Sequence, residues 1–426
     1  MRSPTITRQQ TVTKTTKQSI GWIVFGSMLS MSLVGCLKTV EPSPTATETS
    51  TSDRTSEDRK TCVADYNPDL DYFPDKATLE YAKGFEVDYH KNYKVVTVRD
   101  PWNLEKEPFQ YVLVQCGTPV PEAFKNAEII EIPVRSVAAL STTYLSHLDA
   151  LNLVDRLTGV QDAKTVSTPS IRQRIDSGDI IEVAYNRTID IEGILALNPD
   201  LIVTFGVEAT DSESYAKLLE AGFDVAVNSE YLENTPLGRA EWLKFTALFF
   251  NREADAERIF SDIARDYNRI AELTKTVEDR PTVFTEFNYQ GTWFVPGGES
   301  YVAKFLEDAG ADYLWKDTDS TASLPLDFEV VYDVAANADF WLNVDRNWDT
   351  KEDAIADDPR YRNFEAWQTG QIYNYTARVN EYGGNDYWES GVLNPNIILA
   401  DLVTIFHPEL LPNTEKVYYE KIDGDS

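Results

Sequence analysis

The sequence predicts an α/β molecule: two Rossmann-like lobes with mostly parallel sheets, joined by a long rigid spine helix and preceded by an N-terminal β-hairpin extension. Three observations carry that expectation. The first is an internal echo, IEGILALNPDLIVTF at residues 191–205 and FEVVYDVAANADFWLNV at 328–344. Each copy begins with a glutamate beside an apolar position, runs through a helix-spaced apolar stripe, meets an Asp and ends in an apolar run of strand length. The second is the alternation of strand-like and helix-like segments in both halves, the mark of parallel sheets covered on both faces. The third is the stretch between the halves, where Ile259, Ile263, Tyr267 and Ile270 share one helical face and Arg258, Asp262, Arg265 and Asp266 take the other.

Taken from the start, residues 1–35 carry four basic side chains (Arg2, Arg8, Lys14, Lys17), no acid and an apolar run from Ile20 to Val34. A basic leader and an apolar core of 15 residues have signal-peptide dimensions, short for a membrane span. Leu33-Val34-Gly35-Cys36 then supplies the small residues and the cysteine that a lipoprotein signal peptidase requires, so Cys36 is the expected lipidation site. Each buried acyl CH₂ contributes about 0.8 kcal/mol to membrane binding, so a multiply acylated Cys36 would anchor the chain. Residues 36–60, rich in Thr, Ser, Pro and Glu, cannot bury a core and read as a flexible tether.

The extension is expected over residues 61–128. KVVTV (94–98) and FQYVLV (109–114) have the β-branched and aromatic content of strands, giving a hairpin laid against the first lobe. Cys62 and Cys116 flank it. In an exported protein such a pair is most economically a disulfide, contributing about 4 kcal/mol in the chain-entropy model; two buried free thiols are the alternative. The N-terminal lobe is expected over 129–235, with strands in RSVAAL, DRLTGV, DLIVTF and FDVAVN. A spine helix is expected over 236–279 and the C-terminal lobe over 280–426, with a strand in PTVFTEF, a Gly-rich turn at Pro296-Gly297-Gly298, a helix near 301–309 and a terminal helix near 393–406.

Composition excludes some partners. The chain carries 70 acidic and 39 basic residues, and removing the four positive charges of the signal segment takes the net charge from −31 to −35. A surface this acidic argues against nucleic acid and against electrostatic adhesion to anionic lipid. No Gly-rich phosphate loop, paired-cysteine metal motif or nucleophile elbow is present, so an enzyme is not expected.

In LNPDLIV, the twin carboxylate-led units, the spine, GTWFVPGGESYVAKFLEDAGADYLW and the closing ESGVLNPNIILADLVTIFHPELLP, the chain resembles a known family over about residues 129–412. It is similar to the substrate-binding lipoproteins of ABC transporters for iron-siderophore complexes and cobalamin, the helical-backbone class III periplasmic binding proteins. The resemblance implies a receptor, without a resident cofactor, that captures a bulky metal chelate between the lobes and hands it to an ABC permease dimer with its ATPase subunits. A ferric siderophore is the favoured cargo, with cobalamin or haem as alternatives. It also implies one surface glutamate per lobe that docks on permease arginines; the matching positions are Glu192 and Glu329, and two such points fix orientation on a two-fold partner. A helix-favouring acid near the N-terminal dipole is the structural alternative for each. A monomer is expected, lipid-anchored on the periplasmic face of the inner membrane or on a cell surface.

The cleft should be lined by loops after strand C-termini. These supply Thr142, Thr143 and Tyr144, then Tyr185 and Asn186, Gly206 and Glu208, and Glu230 and Tyr231 from the first lobe. From the second come Tyr289, Trp293, Arg346, Trp348, Arg378 and Tyr382. Aromatics offer rigid faces to a large chelate and arginines match its carboxylates. A bare Zn or Mn receptor is the rival chemistry, but only His90, His147 and His407 exist, and His147 alone could face the cleft. A surface lipoprotein without a transport role is the third reading.

Overall fold

The computed structural model describes residues 62–99, 108–124, 127–185, 188–205 and 209–422, all within one compact unit, Ser52–Ser426. The signal segment, Cys36, the tether, Asn186, Gly206 and Glu208 lie outside the described residues, and of Tyr185 only the backbone is described. No described helix is long and apolar enough to cross a membrane.

The first lobe is built on a five-stranded parallel sheet in the spatial order Val225–Val227, Leu201–Thr204, Val137–Ala139, Leu157–Val160, Ile181–Glu182. The second has Asp312–Tyr313, Thr282–Thr285, Phe340–Leu342, Ile372–Asn374 and Glu420–Lys421, with only the last strand antiparallel. In each lobe the strand of the internal echo lies parallel beside the lobe's first strand. The Asp of each copy explains the registration. Asp200 accepts from the Arg135 backbone N–H at 2.8 Å, just ahead of the first strand. Asp339 accepts from the Thr282 N–H at 2.8 Å and from its hydroxyl at 2.7 Å. A carboxylate that takes a backbone donor of the neighbouring strand fixes where that strand begins.

The extension is larger than the expected hairpin. Phe85–Tyr89, Tyr93–Val98 and Phe109–Gln115 form an antiparallel meander, and Glu128–Ile132 joins it parallel to the third strand. The segment read as opening the first lobe at 129 therefore belongs to this sheet, which gives its N–H and C=O groups a ladder they would lack at a lobe edge. The sheet also covers the lobe's exposed edge strand: the Val227 N–H donates to Tyr111 Oη at 3.0 Å and the Val225 N–H to Glu128 at 3.1 Å. Cys62 and Cys116 are joined as a disulfide.

The spine is not one helix. Pro236–Ala240, Trp242–Leu248 and Glu253–Thr274 are separate, the last two parted by Asn251 in the left-handed region at φ 53°. Only Glu253–Thr274 is long, with 22 residues or about 33 Å. It buries Phe260, Ile263, Tyr267 and Ile270, while Ile259, expected in that stripe, is only half-buried. It packs on Trp242–Leu248 and on the terminal helix Pro395–Phe406.

Buried carboxylates interrupt and anchor this region. Glu241, fully buried between the first two helices, accepts from the N–H groups of Glu80, Tyr81 and Ala82 at 2.7–3.0 Å and from Lys244 at 3.0 Å. Glu233 accepts from the Lys83 and Gly84 N–H groups at 2.8 Å and from Trp242 Nε1 at 3.1 Å. The strap leading into the extension is thereby bound to the inter-lobe helices. Glu241→Leu leaves the buried Ala82 N–H, the partly buried Glu80 and Tyr81 N–H groups and the buried Lys244 short of an acceptor. We expect it to lower unfolding stability by about 3–5 kcal/mol in urea titrations. Asp262→Ala, on the exposed side of the long helix, should stay within about 0.5 kcal/mol of the parent.

Candidate functional site

The C-terminal ends of the first lobe's strands open onto a cavity of about 590 Å³. Its wall is made by Leu140, Ser141 and Thr142 after the first strand, Gln161 and Asp162 after the second, Glu182 at the end of the third and Phe205 after the fourth, with Lys164 and Thr165 closing one side. The first strand is where connections leave the sheet in opposite directions, the place where open α/β sheets take ligands. Both carboxylates there are partly committed to their own loop: Glu182 accepts from the Ala163 N–H at 3.0 Å and Asp162 from the Lys164 N–H at 3.0 Å. What faces a ligand is then a set of hydroxyls, the Gln161 amide, the Lys164 ammonium, the remaining oxygens of Asp162 and Glu182, and apolar patches from Leu145, Val160 and Phe205. No imidazole lines it among the described residues.

A second cavity of about 330 Å³ adjoins it between the lobes. It is lined by Val166, Ser167 and Arg172 from the first lobe and by residues 378–382 and Asp386 from the second. Arg378 and Tyr382 are placed there together, and Lys164 Nζ lies 5.8 Å from the Tyr382 ring centre, so the two cavities share a rim. The lobes are fastened beneath it. Glu389 of the second lobe accepts from the Ser167 and Thr168 N–H groups, each at 2.7 Å, where the helix Pro169–Asp176 begins. Asn380 Nδ2 donates to the Lys164 and Val166 carbonyls at 3.0 and 3.3 Å.

Several expected wall residues are elsewhere. Trp293 is completely buried, donates from Nε1 to the Thr285 carbonyl at 2.8 Å and sits among Phe284, Trp341 and Tyr361. Strand alternation turns it inward and its neighbour Phe294 outward. Trp348 packs in the same cluster against Trp341 and Tyr361. Tyr144 is buried, its hydroxyl donating to the Thr204 and Asn228 carbonyls, because the helix Thr143–Ala150 points its second residue into the core while Thr142 faces the cavity. Thr143 is half-buried and bonds Ser141 Oγ at 3.0 Å. Tyr231 is half-buried in a 3-10 turn and lines neither cavity. Tyr289 is exposed beside the Gln290-Gly291 hairpin turn, whose two residues both have positive φ, and Arg346 is exposed after strand Phe340–Leu342.

The metal alternative is corrected likewise. His147 is fully buried, bonds Thr246 Oγ1 through Nδ1 at 3.0 Å, and burial pushes its pKa down to about 3. His90 stacks on Tyr93, and His407 contacts the Gly310 carbonyl at 3.1 Å, so the three imidazoles lie in three different places. Among the described residues the one trio of potential ligands, Cys62, Cys116 and Glu131, has its two sulfurs bonded to each other.

Sequence reading missed Gln161, Lys164, Arg172 and Asn380 as wall residues, and also Glu286. The last follows the second lobe's first strand with φ 67°, a left-handed conformation that costs a non-glycine residue and recurs at functional sites. Burial pushes the Glu286 carboxyl up to about 8 and that of Glu230, beside Thr143 and Arg239, up to about 7. Glu128 is also raised to about 7 by burial. Each folded carboxyl keeps a proton that the unfolded chain releases near 4.5, so stability is greatest below that value and falls as pH rises through the folded values. His147, neutral when folded, opposes this trend below its unfolded value of 6.5. The thermal midpoint should therefore rise on acidification from about pH 7.5 to 6.5, and Glu286→Gln should flatten that rise.

The periplasmic binding protein family model matches residues 137–379, more than half of the chain. The chain belongs to this family, the extracytoplasmic substrate-binding components of ABC importers. An uncharacterised lipoprotein of Methanocaldococcus jannaschii is 28% identical over 367 residues, covering 80% of this chain and 85% of the relative. Among solved structures, Helicobacter pylori CeuE in a nickel-histidine complex aligns with a TM-score of 0.52 at 17% identity, over 75% of this chain and 91% of that one. A periplasmic haem-binding protein of Pseudomonas aeruginosa aligns with 0.51 at 18% identity, over 69% and 99%. These two share the fold: two α/β lobes, mostly parallel sheets and a long helix.

Proposed function

We propose that the protein is the lipid-anchored receptor of an ABC importer, held by an acylated Cys36, and that it captures a bulky metal chelate, a ferric siderophore being the favoured cargo. The donor set of the larger cavity is the observation that carries the reading. Hydroxyls, an amide and a lysine can grip the organic periphery of a chelate, whereas stripping a bare Zn²⁺ of its water calls for imidazoles converging with carboxylates, and among the described residues the wall carries carboxylates, Asp162 and Glu182, but no imidazole. A volume of about 590 Å³ suits a ligand of drug size or larger. The nickel-histidine complex and the haem binding named for the two structural neighbours keep other chelates as alternatives.

Docking by Glu192 and Glu329 is supported by position. Each stands in the first turn of the helix that opens its copy of the echo, exposed to solvent. Exposed apolar side chains flank both: Leu195 beside the first, Val330 and Val334 beside the second. Carboxylates with an apolar surround can give a permease both orientation and contact area. The two points are not equal, since Arg360 bonds Glu329 at 3.1 Å from within the chain.

Tryptophan fluorescence and calorimetric titration of residues 36–426 with ferric hydroxamate, catecholate and citrate chelates, cobalamin, haem, Zn²⁺ and Mn²⁺ test the cargo. Saturable binding of one chelate class, weakened about tenfold by Lys164→Ala or Gln161→Ala, is expected. Binding of the bare ions alone would overturn the reading. Charge reversal at both Glu192 and Glu329 should leave chelate affinity unchanged and abolish uptake by cells carrying the cognate permease; a parallel loss of affinity would remove the docking role.

A further inference from the structure

Residues 378–389 of the second lobe reach across to the first as a folded-back hairpin. Val379 and Asn385 pair antiparallel, the Asn380 N–H donates to the Gly384 carbonyl at 2.8 Å and the Gly383 N–H to the Asn380 carbonyl at 2.9 Å. Asn380 Oδ1 accepts from the Tyr382 and Gly384 N–H groups at 3.0 and 2.9 Å, so the turn is held from inside. At the base Arg378 Nε lies 2.7 Å from the buried Asp386, whose N–H donates to the Arg378 carbonyl at 3.1 Å. Pinned at base and turn, the hairpin keeps its shape when its outer contacts change.

Its partner is one continuous run of first-lobe backbone, and the contacts follow each other in order. Glu389 accepts from the Thr168 and Ser167 N–H groups, and Asn380 Nδ2 donates to the Val166 and Lys164 carbonyls. Gly384 lies so close on Thr165 that a Cβ there would overlap the Thr165 carbonyl oxygen and Cα. Only glycine lets two backbones approach to that distance. The row has an inner and an outer end. Thr168 and Ser390 share a cavity of about 290 Å³ with Ile259 and Ile263 of the Glu253–Thr274 helix. Lys164 and Tyr382, by contrast, are exposed on the rim, with Lys164 Nζ 5.8 Å from the Tyr382 ring centre.

We infer that this hairpin is a latch: its Glu389 end, beside the long helix, stays in place as a pivot, and its Asn380–Gly384 end parts from residues 164–166 whenever the cleft opens. The reason is leverage. Rotation of one lobe about the inter-lobe helices displaces atoms in proportion to their distance from the axis, so the outer contacts break while the inner carboxylate keeps its two N–H donors. The outer contacts are also the ones next to a ligand, since Lys164 and Thr165 line the larger cavity and meet Asn380 and Gly384. With the ligand-free lobes already latched, cargo passes in either direction only through the same opening step, a consequence that rests on the receptor reading as the latch itself does not. Weakening the outer contacts therefore speeds entry and exit together and leaves affinity nearly unchanged, because the latch is shut in both end states.

Two substitutions separate the latch from the fold. Asn380→Asp keeps the acceptor for the Tyr382 and Gly384 N–H groups but loses the donor to the Lys164 and Val166 carbonyls, and Gly384→Ala drives a methyl group between the two backbones. Residues 36–426 carrying Cys36→Ser, spin-labelled at Lys217→Cys on the helix Ala209–Glu220 and at Glu352→Cys on the helix Lys351–Asp357, report lobe separation by pulsed electron resonance. Without ligand, the parent should give one narrow distance distribution and each variant a broader one with a second, displaced population. A cooperative thermal transition checks that each variant has folded; if Gly384→Ala does not, Asn380→Asp decides alone. A parent as broad as the variants, or variants as narrow as the parent, would overturn the latch. Stopped-flow fluorescence with ferric citrate and a neutral ferric hydroxamate should show both rate constants of the bound chelate raised about tenfold in Asn380→Asp, with Kd within about twofold. Faster dissociation alone would make the hairpin a ligand contact and overturn the gating role. If neither chelate binds while the variants broaden, the latch stands without the receptor reading; if a chelate binds with equal rates in the parent and in narrow variants, the receptor reading stands without the latch.

Discussion

Carboxylates closed over backbone N–H groups hold this molecule in register. Asp200 and Asp339 fix the echo strands against the first strand of each lobe, Glu233 and Glu241 bind the strap at residues 80–84 to the inter-lobe helices, and Glu389 fastens the second lobe to the first. Asp401 does the same at the C-terminus, accepting from the N–H groups of Val417, Tyr418 and Tyr419 at 2.6–3.0 Å. A buried carboxylate is tolerated only when its lone pairs are filled. Backbone donors fill them without a matching basic residue, which is how so acidic a chain can bury many of its acids.

The position of the cleft follows from these attachments. Residues 160–168 run from the end of the second strand to the helix Pro169–Asp176, and along the way they line both cavities and receive Glu389 and Asn380. A ligand touching Lys164 or Thr165 therefore touches the segment on which the lobes meet. The Glu253–Thr274 helix packs on the second lobe's terminal helix and on Trp242–Leu248, which in turn packs on the first lobe's helix Thr143–Ala150, while Pro236–Ala240 packs on helices of the second lobe.

The two glutamates of the echo show how one local pattern acquires two environments. Glu192 and Glu329 occupy the same position in the echo, each in the first turn of its helix. In the second lobe Arg360 lies over the Phe328 ring at 3.7 Å, takes Asp358 as its main partner and reaches Glu329. An arginine arriving from a partner, as the docking proposal requires, would displace this contact at Glu329. An exposed pair of this kind is worth little, so the displacement costs little.

Local pattern determined the two α/β halves, the helix-strand grammar of the echo, the placement of Thr142 and Arg378 at strand ends and the candidate docking glutamates, because period and turn chemistry act over a few residues. Tertiary structure decided which aromatic side chains face the cleft. Trp293 and Trp348 sit in segments that read like binding loops, but the cluster of Phe284, Trp341 and Tyr361 encloses them. It also decided that Glu128–Ile132 pairs with the extension, that the spine breaks at Glu241 and Asn251, and that Arg172 and Arg378 line one cavity. Each of those outcomes depends on a partner tens to hundreds of residues away, and hydrophobic period along the chain carries no record of which distant segment will supply it.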